Sequence, residues 1–184
     1  MDDVYLQKVL DGHVEEFRYF IRTYQDFAYS IALSIVKQEV FAQEVVQSSF
    51  INAFTSLGKF DKRSKFSSWL YKIVINCAYK YLQRNKLLVD EMDSESVIPV
   101  EIIDETIEQA DLEEKQFIVN QALQRVSADS ALALTLFYMQ EYSIKEVCEL
   151  TGWTESKTKV TLHRARHNMK KAICEVKITY KIEA

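Results

Sequence analysis

Apolar residues recur at alternating spacings of three and four positions near the start of the chain. They are Val14, Phe17, Ile21, Tyr24, Ala28, Ile31 and Ile35. This period places them on one face of a long helix, and Gly12 ends a shorter helix before it. Phe20 and Phe27 widen the apolar face beyond a two-stranded seam. The pattern therefore predicts a helical bundle rather than a coiled-coil dimer.

Two more helices are predicted before residue 88. The first runs from about Glu39 to Leu57, and Gly58 closes it. Its buried side includes Val46, Phe50, Phe54 and Leu57 or their neighbours. The second follows the polar stretch 61–65, and its broad apolar face consists of Leu70, Ile73, Val74, Cys77, Ala78, Tyr81 and Leu82. Together these helices predict a first domain over residues 1–87.

Two helices are predicted at the start of the second half of the chain. One begins near Asp111, with Phe117, Ala122 and Val126 on one side. The next runs from about Asp129 to Gln140. Their apolar residues again follow a helical period, which predicts a second small helical domain over residues 115–184.

The end of the chain has the pattern of a helix-turn-helix. Ser143 and Glu146 have the spacing of a capping box, which begins a helix with Ile144, Val147 and Leu150 facing inward. Gly152 breaks that helix, Trp153 can fill the angle, and Thr154 can cap a second helix from about Glu155 to Cys174. A capped helix, a glycine-containing turn and a longer basic helix are typical of a DNA-binding helix-turn-helix.

The composition agrees with an all-α fold. The 184 residues include only three Gly and one Pro, too few for the many tight turns of an all-β fold. Three widely spaced Cys in apolar helical patterns suggest reduced thiols. We find no basic leader followed by an apolar run, and no run long enough to span a membrane. The expected location is therefore the cytoplasm, without membrane insertion.

Charge is segregated along the chain. Residues 88–114 contain eleven acidic residues and no Lys or Arg, whereas residues 59–86 and 157–181 each contain eight basic residues and one acid. Pro99 and the Ser, Asp and Glu content mark the acidic stretch as a linker between the two domains. Two basic windows separated by an acidic one favour two nucleic-acid-binding modules, although solvated helix faces are the simpler alternative.

The second basic window supplies candidates for reading duplex DNA. In a helix-turn-helix, the first turns of the second helix enter the major groove. Here those turns offer Glu155, Ser156, Lys157, Lys159, His163, Arg164 and Arg166. An ordinary amphipathic helix is the alternative. His163 and His167 also have the spacing of a two-histidine metal clip, but no third ligand is evident, so we expect no metal.

The first basic window suits single-stranded nucleic acid, because cations alternate with aromatic residues that can stack on or enclose unpaired bases. The best candidates lie in and beside the polar loop: Asp61, Lys62, Arg63, Ser64, Lys65, Phe66, Ser67 and Ser68. Lys80 extends the same basic window. Trp69 lies in the apolar pattern and is better explained as a core residue.

No motif for catalysis is present. We find no glycine-rich phosphate loop and no serine framed by glycines in a nucleophile elbow. We therefore expect neither enzymatic activity nor a cofactor.

The combined pattern resembles the extracytoplasmic-function group of bacterial RNA polymerase sigma factors. The segment Ala42 to Phe50 is similar to the family's acidic-x-x-Gln helix, and Phe60, Phe66, Trp69, Leu70, Ile73 and Asn76 follow at the family's spacing. The segments Tyr142 to Val147 and Leu162 to Arg166 resemble the two helices that read the minus-35 element. The likeness covers most of the chain.

The resemblance implies a role for each domain. Glu44 and Gln47 would dock on the clamp coiled coil of the polymerase large subunit, whose flap is a further expected contact. The loop from Asp61 to Ser68 would capture an unpaired base, and Asn76 matches a position near the melted minus-10 element. The helix from Glu155 would read the minus-35 element. The resemblance also implies an anti-sigma factor as a partner.

Two other functions remain open at the level of sequence. One is a free-standing helix-turn-helix regulator that binds duplex DNA without polymerase. The other is a decoy that binds polymerase but reads no promoter, because the family's Thr-Val-Lys in the recognition helix is replaced by Lys157-Thr158-Lys159. The family's Leu-Pro before the second domain's core helix is likewise replaced by Val126-Ser127.

Overall fold

The computed structural model describes residues 1–85 and 112–183, and every regular element in these ranges is helical, which confirms the all-α prediction. The α-helices are α1 (Asp2–Leu10), α2 (Arg18–Val36), α3 (Glu39–Thr55), α4 (Phe66–Asn85), α5 (Leu112–Arg125), α6 (Ala128–Leu134), α7 (Ile144–Thr151) and α8 (Glu155–Glu183). The acidic linker predicted over 88–114 lies outside the described residues, except for its last three residues, which begin α5. Below, α1–α4 are the first module and α5–α8 the second.

The first module is a bundle in which α2, α3 and α4 pack against one another. Phe20, Ile31, Leu70 and Val74 are almost completely buried at its centre. The predicted apolar face of the long helix is partly wrong, because α2 begins only at Arg18. A 3-10 turn over Val14–Phe17 precedes it, and this change of helical period leaves Val14 exposed.

The N-terminal helix is attached to this bundle by polar and aromatic contacts in addition to its buried Leu6 and Val9. The hydroxyls of Tyr19 and Tyr24 donate hydrogen bonds to the two carboxylate oxygens of Asp2, at 2.9 and 2.5 Å. Tyr5 stacks on Tyr19 with ring centroids 4.0 Å apart. Burial, and then the Asp2 carboxylate, raise the pKa of Tyr24, so its hydroxyl remains a donor at neutral pH.

The second module begins with two shorter helices. The hydroxyl of Ser127, where the family has Pro, accepts a hydrogen bond from the backbone N–H of Ser130 and so caps α6. The helix predicted from Asp129 to Gln140 exists in two parts, since α6 continues as a π-helical segment over Thr135–Met139. Ile118, rather than the predicted Phe117, faces the core between α5 and α8.

The two modules share one hydrophobic core. Leu132 and Leu136, together with Val147 and Leu150 of α7, belong to the same buried cluster as the residues of α2 and α4. A smaller cluster lies between α5, α6 and α8. The contact surface between the modules is called the junction below.

A lysine crosses the junction. Lys37 ends α2 in the left-handed conformation, with φ of 64°, and its Nζ donates to the backbone oxygen of Leu123 at 2.6 Å. That carbonyl belongs to the last turn of α5, where helix carbonyls lack intrahelical partners. Burial lowers the pKa of Lys37 to about 8.

We expect this lysine to make stability rise with pH. Its pKa in the folded protein lies below the unfolded value of 10.5, so the unfolded chain binds more protons between pH 8 and 10.5. Between pH 7.5 and 9.5 the free energy of unfolding should increase by about 1 to 2 kcal/mol relative to that of Lys37→Met. Urea unfolding of both proteins at each pH measures this difference, and Lys72→Met, at an exposed position, is the control. Parallel pH profiles for the parent and Lys37→Met would contradict the expectation.

Candidate polymerase and nucleic-acid interfaces

An open apolar groove of about 610 Å³ runs between α2 and α3. Phe17 and Ile21 line one side, and Gln47, Ile51 and Phe54 line the other. Ile51 is 56% exposed and Phe54 is 38% exposed. An uncovered apolar groove of this size is typical of a surface that binds another protein.

The two predicted docking residues lie three positions apart on α3, so their side chains are neighbours on its surface. Gln47 lines the groove, whereas Glu44 is close to Tyr81 of α4. The pKa of Tyr81 is raised by burial and, to a smaller extent, by the Glu44 carboxylate. The groove itself was not predicted. Its signal in the sequence is that α3 carries apolar residues all round, including Val40, Ile51 and Phe54 in addition to its buried set.

The polar loop before α4 is exposed from Asp61 to Lys65. Asp61 accepts hydrogen bonds from the backbone N–H of Arg63 at 3.1 Å and from its Nε at 2.5 Å, and these bonds lower the pKa of the carboxyl. Lys62 has a left-handed backbone with φ of 59°. The local turn therefore presents Lys62, Ser64 and Lys65 to solvent. They surround an Asp61 carboxylate whose charge is balanced by Arg63.

Phe66, predicted as a contact for DNA, is a core residue. It is 3% exposed and its ring lies 4.1 Å from that of Phe20, measured between centroids, with Phe60 and Trp69 also in contact. Phe66, the first residue of α4, therefore packs beneath the loop. In this conformation its ring is not accessible to stack on a base.

The end of the loop faces the second module. Ser67 and Ser68 are near the Tyr142 hydroxyl, whose pKa is raised by burial and lowered in part by these two hydroxyls. Lys65 is close enough to Glu146 to contribute to the lowered pKa of that carboxyl, which Ser143 lowers most. Three predicted single-strand contacts are therefore engaged at the junction.

The exposed side of α4 carries a polar stripe. Lys72, Asn76 and Lys80 follow one another at intervals of four and are all exposed. Side chains four apart on a helix are neighbours, so this stripe presents two cations and an amide on one surface. The predicted contacts Asn76 and Lys80 are thereby brought together.

The helix-turn-helix is built as predicted. Ser143 and Glu146 form both hydrogen bonds of a capping box at the start of α7. Gly152 ends α7 with φ of 74°, a left-handed conformation that glycine adopts without strain. Thr158 is completely buried between the helices, and its hydroxyl lies 3.1 Å from the Cys148 sulfur. These contacts fix the angle at which α8 leaves the turn.

Helix α8 separates its predicted DNA contacts into three groups. Thr158, Leu162 and Ala165 mark its buried side. Ser156, His163 and Arg164 are exposed, away from that side. Glu155 and Lys159 form an ion pair at 2.5 Å, which lowers the pKa of the acid and raises that of the lysine. The other two predicted contacts, Lys157 and Arg166, lie at the flanks.

Lys157 points toward the junction. Its Nζ is 3.1 Å from a carboxylate oxygen of Asp129 in α6 and 4.6 Å from the centre of the Trp153 ring. The other oxygen of Asp129 accepts a hydrogen bond from the Tyr79 hydroxyl of α4 at 2.6 Å. One carboxylate thus connects the recognition helix to the first module.

Arg166 borders a second groove. Its Nε donates to the Tyr138 hydroxyl at 2.8 Å, and its guanidinium lies 5.7 Å from the centre of the Phe137 ring. The groove, of about 440 Å³, runs between α5, the π-helical segment and α8. Tyr138 and Met139, both more than half exposed, line it together with Arg166 and Lys170. The sequence pattern did not predict this surface.

Among residues 1–85 and 112–183, no His, Cys, Asp or Glu side chains group in threes or more as metal ligands would. None of the helices described is long and apolar enough to cross a membrane.

Two known families match the chain, one in each module. The family described as sigma-70 region 2 matches residues 20–87, and the family described as sigma-70, region 4 matches residues 116–169. The first match includes most of the residues that line the α2–α3 groove and the whole stripe of α4. The second includes the helix-turn-helix and most of the residues that line the second groove.

Curated relatives are similar over most of their length. RNA polymerase sigma factor YlaC of Bacillus subtilis is 28% identical over 131 residues, which cover 71% of this chain and 76% of the relative. The extracytoplasmic-function sigma factor SigW of the same species is 20% identical over 183 residues, covering 91% and 94%. RNA polymerase sigma-H factor of Pseudomonas aeruginosa is 26% identical over 181 residues, covering 94% and 93%.

Two solved structures have a similar fold. One is the sigma factor RpoE in complex with the anti-sigma factor NepR from Bartonella quintana, with a TM-score of 0.66, 21% identity and coverage of 86% of this chain and 97% of that one. The other is CnrH in complex with the cytosolic domain of CnrY, with a TM-score of 0.61, 16% identity and coverage of 94% and 96%.

Proposed function

Because the chain belongs to the sigma-70 family of RNA polymerase sigma factors, in the extracytoplasmic-function group, we propose that it directs core polymerase to a subset of promoters and helps to open them. The observation that carries this proposal is the presence of both family regions on one chain, at residues 20–87 and 116–169. A free-standing helix-turn-helix regulator would not need the first of these regions. Core polymerase and promoter DNA are the partners of such a factor.

The α2–α3 groove is the proposed polymerase-docking surface of the first module. It is apolar, open and rimmed by amides, including Gln47. A helix from the polymerase clamp with an apolar face could bury that face here, while Gln47 hydrogen-bonds at the rim. Glu44, three positions before Gln47, would contact the same partner beside the groove. In the second module, the groove beside Tyr138 and Met139 is the proposed site for the polymerase flap.

Promoter reading is assigned to α8 and to α4. The exposed side chains Ser156, His163 and Arg164 can face the major groove at the minus-35 element, with Glu155 and Lys159 beside them. On α4, the stripe Lys72, Asn76 and Lys80 can follow one strand of the melted minus-10 element, and the loop 61–65 can contact an unpaired base. Arg166 is proposed as a groove residue rather than a DNA contact, because its guanidinium is bound to Tyr138.

Promoter opening needs no reacting group. Tighter binding of unpaired than of paired bases shifts the duplex equilibrium toward the open state. We therefore propose that this chain has no enzymatic activity and no cofactor of its own. We also propose that it acts in the cytoplasm, together with polymerase and DNA. An anti-sigma factor is the proposed regulator, and the two apolar grooves are the surfaces it would need to cover.

Transcription in vitro tests the function directly. Purified protein is mixed with bacterial core polymerase on genomic DNA, and start sites are mapped with and without it. The proposal predicts discrete new starts that share two upstream motifs. Polymerase binding without new starts would instead identify a decoy. If no polymerase is bound but duplex DNA is, the chain is a free-standing regulator.

A further inference from the structure

A valine lies on the outward side of the recognition helix. Val160 is in the second turn of α8, and its side chain is 47% exposed. The buried side of this helix is marked by Thr158, Leu162 and Ala165, each at most 2% exposed. Because an α-helix turns once in 3.6 residues, Val160 projects from the side roughly opposite to these three.

Val160 belongs to a row of side chains that the helix-turn-helix directs at DNA. Ser156, Val160 and His163 follow one another at intervals of four and three, and all are exposed. In a helix-turn-helix the first turns of the second helix enter the major groove. Lys159 and Arg164 flank the row, where cations can hold phosphates. Val160 therefore faces base edges from the middle of a polar row.

The fold of the free protein does not require a valine at this position. Val160 belongs to neither hydrophobic cluster of the described residues. Its neighbours on α8, at one, three and four positions in both directions, are all polar. A β-branched residue also favours a helix less than alanine or a straight-chain polar residue does. The contact that explains this side chain therefore has to come from outside the chain.

The major groove offers one apolar partner for such a side chain. Thymine presents its C5-methyl group there, whereas the other three bases present hydrogen-bonding groups but no methyl. Valine has no donor or acceptor, so contact with those polar groups would remove them from water without a replacement bond. Against the thymine methyl, the same contact buries apolar surface on both partners. The branched side chain also has one preferred rotamer in a helix, so its methyl groups are already oriented.

We propose that Val160 is a specificity-determining residue, which selects thymine at one position of the minus-35 element by contact with the C5-methyl group. This inference rests on the proposed function, because it takes α8 as the helix that reads this element. The selected thymine lies between the bases that Ser156 and His163 reach. The flanking cations bind phosphates and add affinity without sequence information.

Removal of a single methyl group from the DNA tests this contact. Deoxyuridine pairs as thymidine does and lacks only the C5-methyl. Each thymine of the mapped upstream motif, on either strand, is replaced in turn in a promoter duplex. Competition against the labelled parent duplex then gives the affinity of the holoenzyme for each replacement. The holoenzyme is reconstituted from core polymerase and the parent protein, Val160→Ala, Val160→Ile or Ser156→Ala.

With the parent protein, uridine at one thymine should lower the affinity about three- to fivefold, as expected for one buried methyl group. Val160→Ala leaves α8 intact, since alanine is the better helix former, and the same uridine should then cost less than about 1.5-fold. Val160→Ile keeps a branched apolar side chain and should keep the methyl effect. Ser156→Ala is the matched control from the same row and should also keep it. If no thymine shows a methyl effect, or if Val160→Ala loses as much as the parent, the proposal is overturned.

This proposal and the proposed function fail in different ways. New transcription starts without a methyl effect refute the role of Val160 alone. If no new starts are found, the proposed function fails, and the uridine scan is repeated on duplexes that the protein alone selects from a random-sequence pool. A methyl effect that disappears in Val160→Ala there still supports the thymine contact. If the protein selects no sequence, Val160 reads none, and both proposals are wrong.

Discussion

Ile51→Asp is expected to lower the affinity for core polymerase by about 100-fold or more. The side chain lines the α2–α3 groove and is 56% exposed in the free protein. A partner helix in the groove would bury the new carboxylate without a counter-charge, and a residue at the centre of an interface commonly contributes about 2 to 4 kcal/mol. Titration of labelled protein with core polymerase measures the dissociation constant.

Val40→Asp is the matched control. Val40 lies on the same helix, is 64% exposed and does not line the groove. Both substitutions replace a β-branched apolar side chain by Asp at a position where solvent accepts the charge in the free protein. Thermal unfolding of both variants shows whether α3 is intact. If both variants bind polymerase as tightly as the parent does, polymerase docks on a different surface.

The features that the sequence predicted well depend on short-range contacts. The capping box of Ser143 and Glu146 and the glycine turn at Gly152 are decided by residues within one or two helical turns, so their spacing carries the information. Family resemblance then supplied the functional meaning of these elements.

The features that were missed depend on which surfaces meet. Tyr79 and Asp129 are fifty positions apart, and neither residue has a local pattern that identifies the other as its partner. Helix α3 is apolar on nearly every side, so periodicity could not show which side remains uncovered and forms the groove. Val14 is exposed because a 3-10 segment delays the start of α2. Phe66 is buried because the distant Phe20 and the nearby Phe60 and Trp69 surround its ring, which the local pattern does not show.

The shared core has a consequence for stability that a chain with two independent domains would not show. Leu136 is completely buried, and the π-helical segment that carries it contacts α2 of the first module. Leu136→Ala should therefore lower the free energy of unfolding by about 3 kcal/mol, because a cavity opens at the junction. The loss should reach the first module, so amides of α2 should exchange roughly two orders of magnitude faster.

Ile118→Ala distinguishes this effect from a general weakening of the second module. Ile118 is 4% exposed and belongs to the smaller cluster between α5 and α8. The substitution removes a similar volume, yet it should accelerate exchange mainly in α5 and α8. Hydrogen exchange with peptide-level mass spectrometry follows both modules in one experiment. Unchanged exchange of α2 in Leu136→Ala would show that the modules unfold independently and that their contact contributes little to the stability of the first.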